Sequence, residues 1–414
     1  MRLRDHRGQE ISGATPGARD VFEHALESHL SWRTGARADI DRALDEAPAF
    51  TMAHVFKAYL SLCSRDVARV RQARSAHARA TSLPATDRER LHVAAVGAAL
   101  ADDFETFRTL LQELLRQYPR DVLALQVGHA LDYATGDTEG MGARLSAVLP
   151  AWTEEVPGFH AVLAMRAFSL VEERQFEAAA DQGLRALEFD PADARAHHAL
   201  THRYEMTGNA AAGARWMRDR RAFWAVDTVA ATHCWWHWGL FHLAQGEVAA
   251  ALSLYDQRVR IGRSLDVADM IDASALLWRL LLLDADVGGR WLELAQAWTQ
   301  HIADSYCTFT DLHAMLALVG AADWTNANRL ESGLLGRHLL RTRYGETTRL
   351  VGLPACRAVI AFGRGDYIRT IKLLGSIPDF ARRIGGSHAQ RDLLYLTLLE
   401  AVRRTRRRVR SAAA

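Results

Sequence analysis

The chain has 414 residues, 49% hydrophobic and 24% charged, with 28 Gly and 9 Pro. That apolar fraction excludes a disordered chain, and so few prolines exclude a proline-rich linker or a turn-dense β-sandwich. The 51 basic residues, all arginine except Lys57 and Lys372, nearly balance 49 acidic ones, so a net charge of +2 gives no overall field that would demand nucleic acid.

Taken in chain order, residues 1–17 carry Arg2, Arg4, Asp5, Arg7 and Glu10 and no apolar core, so they read as a flexible segment and not as a signal peptide. From Ala18 to Val402 almost every segment has helical spacing. Leu110, Leu111, Leu114 and Leu115 form one apolar face, and Leu123, Leu125, Val127 and Leu131 form the next. Pro84, Pro119, Gly136, Pro157, Pro191, Gly208, Gly246, Gly262, Gly288, Gly289 and Gly365 fall between such runs, as turn residues do. Helices joined by short turns, without alternating β-branched runs, predict an all-α bundle or solenoid. The longest apolar run, Ala273 to Leu283, is interrupted by Arg279, so no membrane span is expected and the protein reads as cytoplasmic. Cys63, Cys234, Cys307 and Cys356 are far apart and form no CxxC, which predicts free thiols.

A 34-residue period with small residues where paired helices touch is the tetratricopeptide pattern. In a unit opening at His160, Ala167, Phe176, Ala179, Ala186 and Pro191 fall at its characteristic places. In one opening at Thr232, Trp235, Gly239, Gly246, Ala251 and Tyr255 do so. Ala or Gly at the contact positions lets two helices approach closely. The fold class predicted is a tetratricopeptide-like α-solenoid of antiparallel hairpins, about ten of them, curved around a concave inner pocket. It forms one domain over residues 18–402, followed by a basic tail, 403–414.

Several phrases go beyond a generic repeat. They include Arg88-Glu-Arg-Leu-His92, Tyr118-Pro-Arg-Asp121, Ala164-Met-Arg-Ala-Phe168, His198-Ala-Leu-Thr-His202, His233-Cys-Trp-Trp-His237, Leu276-Leu-Trp-Arg279, Asp311-Leu-His313 and Gly385-Gly-Ser-His-Ala-Gln-Arg-Asp392. In this order the chain resembles the tetratricopeptide repeat protein 38 family, over roughly Ala18 to Glu400. That family has members in bacteria and animals, and the resemblance implies an all-helical repeat fold and no particular activity.

The repeat also implies which first-helix positions line the concave groove. In the unit opening at Ala194 these are Arg195, His198, His202, Glu205 and Met206; in the next they are His233 and Trp236, with His237 beside them. His198, His202 and Glu205 lie within about 60° of one another on a helix, and His233 and His237 are likewise one turn apart. Converging imidazoles and a carboxylate suit a divalent metal, with His198, His202, Glu205 and His237 as ligands. The same five groups suit acid/base catalysis, a metal-free polar pocket, or half-buried histidines with a structural role.

Other polar residues inside apolar helices extend the candidate ligand-binding set: His92, His129, Trp236, Met206, Asp272, Asp311, His313, His388 and Arg391. Buried charges are costly unless paired or used. Asp272 is read as a salt-bridge partner of Arg279, one face along. Gly385-Gly386-Ser387 opens the last helix, either as an anion site or as a turn capped by Ser387. Arg403 to Arg410 holds six arginines and is read as a solvated helix end, with no nucleic-acid partner expected. The functional expectation is a small polar molecule or peptide bound in the concave pocket. The alternative is an enzyme using the same cluster, with a divalent metal the one cofactor in view.

Overall fold

The computed structural model describes residues 3–64, 66–304 and 306–413. These residues are helical throughout, with two isolated β-bridges, Arg4 with Glu10 and Arg33 with Thr228, and no sheet. No helix among them is long and apolar enough to cross a membrane.

The helices pair in antiparallel hairpins, as in Pro16–Leu30 with Ala36–Glu46, Thr51–Leu62 with Val67–Thr81, and Phe159–Glu172 with Phe176–Phe189. The turn chemistry recurs. A residue in the left-handed conformation ends the first helix, and the next residue caps the second. Gly136, Gly208 and Gly365 take the left-handed place. The side chains of Asp137, Asn209 and Asp366 then accept backbone N–H groups of the following helix. Glycine suits the first position because it lacks the Cβ that opposes positive φ. Aspartate and asparagine suit the second because their oxygens satisfy helix N–H groups left without partners.

The 34-residue period also appears in space. Arg88 pairs with Asp121, His160 with Asp193, and the Trp152 indole with the Pro119 carbonyl, each across 33 residues. Later in the chain Arg260 pairs with Glu293 and Asp311 with Tyr344 at the same separation, and Arg290 with Asp256 at 34. Such rungs join equivalent positions of successive hairpins, as expected when each repeat touches only its neighbours.

The chain divides into two compact units. The first runs to Tyr133 and resumes from Asp137 to Cys234, and the second holds Ala134–Gly136 and Trp235 onward. The core of the first includes Phe22, Phe50, Phe56, Leu111, Leu114 and Val162, with Phe22 and Phe50 rings 5.1 Å apart. Each such buried side chain contributes roughly 1.5–3 kcal/mol. Ala167 and Ala179 are buried, as the small-residue pattern requires. The segment before Pro16, read as flexible, makes specific contacts here: Asp5 is buried beside Arg88, Arg7 pairs with Glu23, and Ile11 joins the core.

The second unit is built on Trp278, Trp298, Met315 and Val359, all buried. Two of its indoles are satisfied inside it, Trp278 donating to Thr397 Oγ1 and Trp298 to Ser274 Oγ, both at 2.9 Å. The last helix, His388–Ala413, runs on through the basic tail. Of the tail's six arginines, Arg403, Arg406, Arg407, Arg408 and Arg410 are exposed, as a solvated end is, while Arg404 is half-buried. Arg403 and Arg404 pair with Glu400 and Asp284, Arg404 lies over the Phe362 and Tyr367 rings, and Arg408 donates to the Gly365 carbonyl. Long arginine stems can cover aromatic surface while their heads reach carboxylates, which spacing alone does not show.

Candidate metal centre

Three histidines of the first unit meet on two successive hairpins. The helix Ala194–Met206 starts at Asp193, whose carboxylate accepts the N–H groups of Arg195 and Ala196 at 2.9 and 3.1 Å. That cap sets the rotation of the helix and hence the shared face of His198 and His202. His233 sits in the first turn of Ala231–Ala244. The approach to that turn is pinned, because Thr228 donates to the Trp32 carbonyl at 2.8 Å and Val229 to the same oxygen at 2.9 Å.

His198 Nε2 lies 3.0 Å from His202 Nε2 and 3.1 Å from His233 Nε2. One donor nitrogen from each of the three lies within 4.8 Å of the others. An imidazole nitrogen carries either one proton or one lone pair. His198 Nε2 therefore satisfies at most one of its two short contacts as an ordinary hydrogen bond. Burial, then the charges that His202, His233 and Arg195 would present, push the His198 pKa well below its usual 6.5, which keeps its ring neutral. Nitrogen ligands of one zinc ion, each at about 2.0–2.1 Å, stand about 3.3 Å apart in a tetrahedron. The observed spacing is close to that.

Aromatic rings wall the group. Phe168 stacks on His198 at 5.7 Å and meets His202 edge-on at 5.3 Å. Trp32 lies 5.0 Å from His198 on another side. Trp32 holds a left-handed backbone, φ 58°, at a helix end where some hairpins place glycine and others Asp102, Arg174, Asp284 or Ala322. That conformation costs a side-chain-bearing residue roughly 1–2 kcal/mol.

A second acid–histidine group in the same unit has the opposite electrostatics. Glu27, His160 and Asp190 also bring donor atoms within 4.8 Å. Yet His160 contacts Asp193 through Nδ1 at 2.8 Å and Glu27 through Nε2 at 2.6 Å. Burial would lower its pKa, but these two carboxylates outweigh it and hold the ring protonated, up to about 10. Both nitrogens are engaged as donors, so this group is an ion-pair clasp. Sequence reasoning passed over it; the signal was the 33-residue spacing of His160 and Asp193.

The remaining predicted residues distribute as follows. His237 is buried one turn beyond His233 on the same unbroken helix. Glu205 lies outside the groups whose donor atoms converge. Seven residues of helical rise carry it about 10 Å along the axis from His198, so His233 takes the place expected for it. Met206 packs on the apolar cluster of Leu170, Val171 and Ala179. His129 is beside Phe168, at 5.9 Å, and hence next to the histidine group. His92 belongs to a separate buried network, contacting Asp121 at 2.9 Å and the Tyr59 hydroxyl at 3.2 Å.

In the second unit, Asp311 accepts the Tyr344 hydroxyl at 2.7 Å, and burial pushes its pKa up to about 7. His313 donates through Nδ1 to the Phe309 carbonyl at 2.7 Å. Arg279 lies over Trp236 and donates to Asp392 at 2.5 Å; Asp272 is buried one face back on the same helix. Arg391 donates to the Gly386 carbonyl, and His388 opens the last helix. Ser387 does not cap that helix as expected: its backbone N–H donates to Gln390 Oε1, and its buried hydroxyl finds no protein partner.

No family model matches the chain. Among solved structures it is similar to the crystallised TPR domain of P58(IPK), at 12% identity over 94% of this chain and 99% of that one, with a TM-score of 0.22. So loose an overlay aligns no individual residues, and the fold description stands on the hairpins and their 33-residue rungs.

Proposed function

We propose that the first unit binds one divalent transition-metal ion through His198, His202 and His233. The observation that carries this reading is the pair of short contacts on a single nitrogen, His198 Nε2. A cation at the meeting point accepts all three nitrogens as ligands in place of the two competing contacts on His198. Neutral imidazoles suit zinc, iron, nickel or copper better than calcium or magnesium. A bound ion would act as a Lewis acid on a small polar ligand at its open coordination position, which makes this a metal-dependent enzyme site. The aromatic walls support ligand binding at the same place. Membership of the tetratricopeptide repeat protein 38 family belongs to this proposal as well, and it adds no activity.

The test is elemental analysis of the full chain purified without chelators. About one divalent ion per chain is expected, falling to background in His198→Ala with helicity by circular dichroism unchanged. A metal-free chain that takes up no added Zn²⁺, Mn²⁺ or Fe²⁺ would overturn the metal reading.

A further inference from the structure

We propose that the turn at residues 30–34, between the first two helices, is the positioning element of the histidine centre. It holds the starts of both histidine-bearing helices at one spacing and thereby sets the affinity for the ion. That role rests on the metal reading above, and it belongs to residues outside the ligand set.

In a repeat array each hairpin meets its neighbours in sequence. This turn departs from that rule, because its partners lie 159 to 196 positions further on. On one side it grips the start of the helix Ala194–Met206. Ser31 Oγ donates to Asp190 Oδ2 at 3.0 Å, and Arg33 Nη2 donates to the Ala192 carbonyl at 3.0 Å. The Ala194 N–H donates to the Ser31 carbonyl at 3.3 Å, and Arg195 Nε to the Leu30 carbonyl at 3.0 Å. The Glu27–His160–Asp193 clasp adds a tie from the end of the first helix to the residue that caps this one.

On the other side the same turn grips the approach to Ala231–Ala244. The Thr34 N–H donates to the Asp227 carbonyl at 2.9 Å. The Trp32 carbonyl accepts the Thr228 hydroxyl at 2.8 Å and the Val229 N–H at 2.9 Å. Thr228 Oγ1 in turn accepts the Ala230 N–H at 3.2 Å, one residue before the helix begins. Ser31 and Thr228 are both buried, where water competes poorly for such bonds.

The first of these helices supplies His198 and His202, and the second supplies His233. Packed helices shear past one another by small displacements. Metal–nitrogen distances tolerate only about 0.2 Å. A turn hydrogen-bonded to both helix starts removes that freedom without contributing a ligand, which is how a supporting shell preorganises a site. Trp32 adds a ring contact to His198 itself, at 5.0 Å.

The experiment uses the full chain with Co²⁺ as probe, whose visible absorption reports both affinity and coordination geometry. Ser31→Ala combined with Thr228→Val cuts one side-chain tie on each side and touches no histidine; Thr228→Ser alone keeps both hydroxyls. The double variant is expected to bind Co²⁺ at least about tenfold more weakly than wild type, with an altered absorption spectrum, and Thr228→Ser within about twofold of wild type. Bonds that serve folding alone would lower the denaturation midpoint of the double variant and leave its Co²⁺ affinity and spectrum as in wild type, and that result would overturn the positioning role. Hydrogen exchange needs only the wild type: saturating Co²⁺ should slow the Thr34, Ala194 and Val229 amides at least about tenfold, because opening the turn then requires release of the ion. Unchanged exchange would overturn the role even where the double variant fails to fold. A wild-type chain that binds no Co²⁺ overturns the metal reading and this role with it, whereas wild-type binding that the double variant retains in full removes the role and leaves the metal reading intact.

Discussion

Arg195 in the first unit and Arg279 in the second are buried to nearly the same degree, 4% and 6% exposed, and lie on first helices of their hairpins. Both also lie over an indole, Trp32 for one and Trp236 for the other. Their partners differ. Arg279 reaches the last helix, where Asp392 and the Ala389 carbonyl accept its N–H groups. Arg195 donates to one carbonyl and has no carboxylate within ion-pair distance, although the Asp193 charge acts on it. Two equally buried arginines are therefore met in different ways. In the second unit the polar interior is closed by its own acids, which is how a structural arginine is expected to look. In the first, Arg195 meets a backbone carbonyl and an indole instead of a carboxylate within ion-pair distance.

The largest expected effect tests that difference directly. Arg279→Met should destabilise the protein by about 3 kcal/mol, because a mostly buried carboxylate loses its cation. Arg195→Met should change stability by less than about 1 kcal/mol, because it removes a buried charge that no direct ion pair holds, along with one hydrogen bond. Chemical denaturation of the two variants measures both. Equal losses would erase the contrast between the units.

Metal addition sharpens the comparison next. Zinc at one hundred times its dissociation constant should stabilise the wild-type first unit by about 2.7 kcal/mol. The same addition should leave the melting of His202→Ala unmoved. A shift that persists in His202→Ala would place the ion elsewhere.

The ion-pair clasp of the first unit and the buried acid of the second both predict a loss of stability on raising pH, over different ranges. His160 is raised from its ordinary 6.5 to about 10 in the folded chain. Its contribution is complete below about pH 6.5 and is lost as pH rises through about 10. His160→Asn should cost about 2 kcal/mol at pH 6 and flatten the stability profile over that range. Asp311 is raised from 3.8 to about 7. Its protonated form is favoured by folding, so that contribution fades between about pH 4 and 7 and is gone above it. Asp311→Asn should therefore be best tolerated above pH 7. Denaturation midpoints of both variants between pH 5 and 10 check the two ranges.

The smallest effect concerns the tail. Deleting residues 405–414 removes the Arg408 contact with Gly365 and leaves the Arg403 and Arg404 pairs in place. Exposed pairs of this kind contribute roughly 0–1 kcal/mol each. Melting within about 1 °C of the full chain is expected. Extending the deletion to residue 403 should cost more, since Arg404 also covers Phe362 and Tyr367. Identical melting of the two truncations would show that those contacts add nothing.

Much of the fold was legible before any coordinates. Helical periodicity, glycines at turns and small residues at Ala167 and Ala179 all report on contacts within one helix or one hairpin. Such contacts have fixed spacings, and the hairpin geometry follows from them. The shared face of His198 and His202 was legible for the same reason. Glu205 was included by that logic too, and it is not among the converging donor atoms. Trp32 was invisible as a site residue because it reaches the cluster from 166 positions before His198. The ring contacts of Arg404 and Arg408 were not legible because Phe362 and Tyr367 lie elsewhere in sequence.

By itself, then, the sequence determined the helices, their turns, the 34-residue period and the i, i+4 histidine pairs, all of which are set by backbone geometry over a few residues. Tertiary structure alone decided which polar groups meet. It brought His233 to His198, gave His160 two carboxylates, and left Arg195 without one. The reason is physical: a side chain's partner across hairpins depends on how helices rotate and slide against one another. A shift of a single residue along a helix turns a side chain by 100°, enough to separate a metal centre from an ion pair.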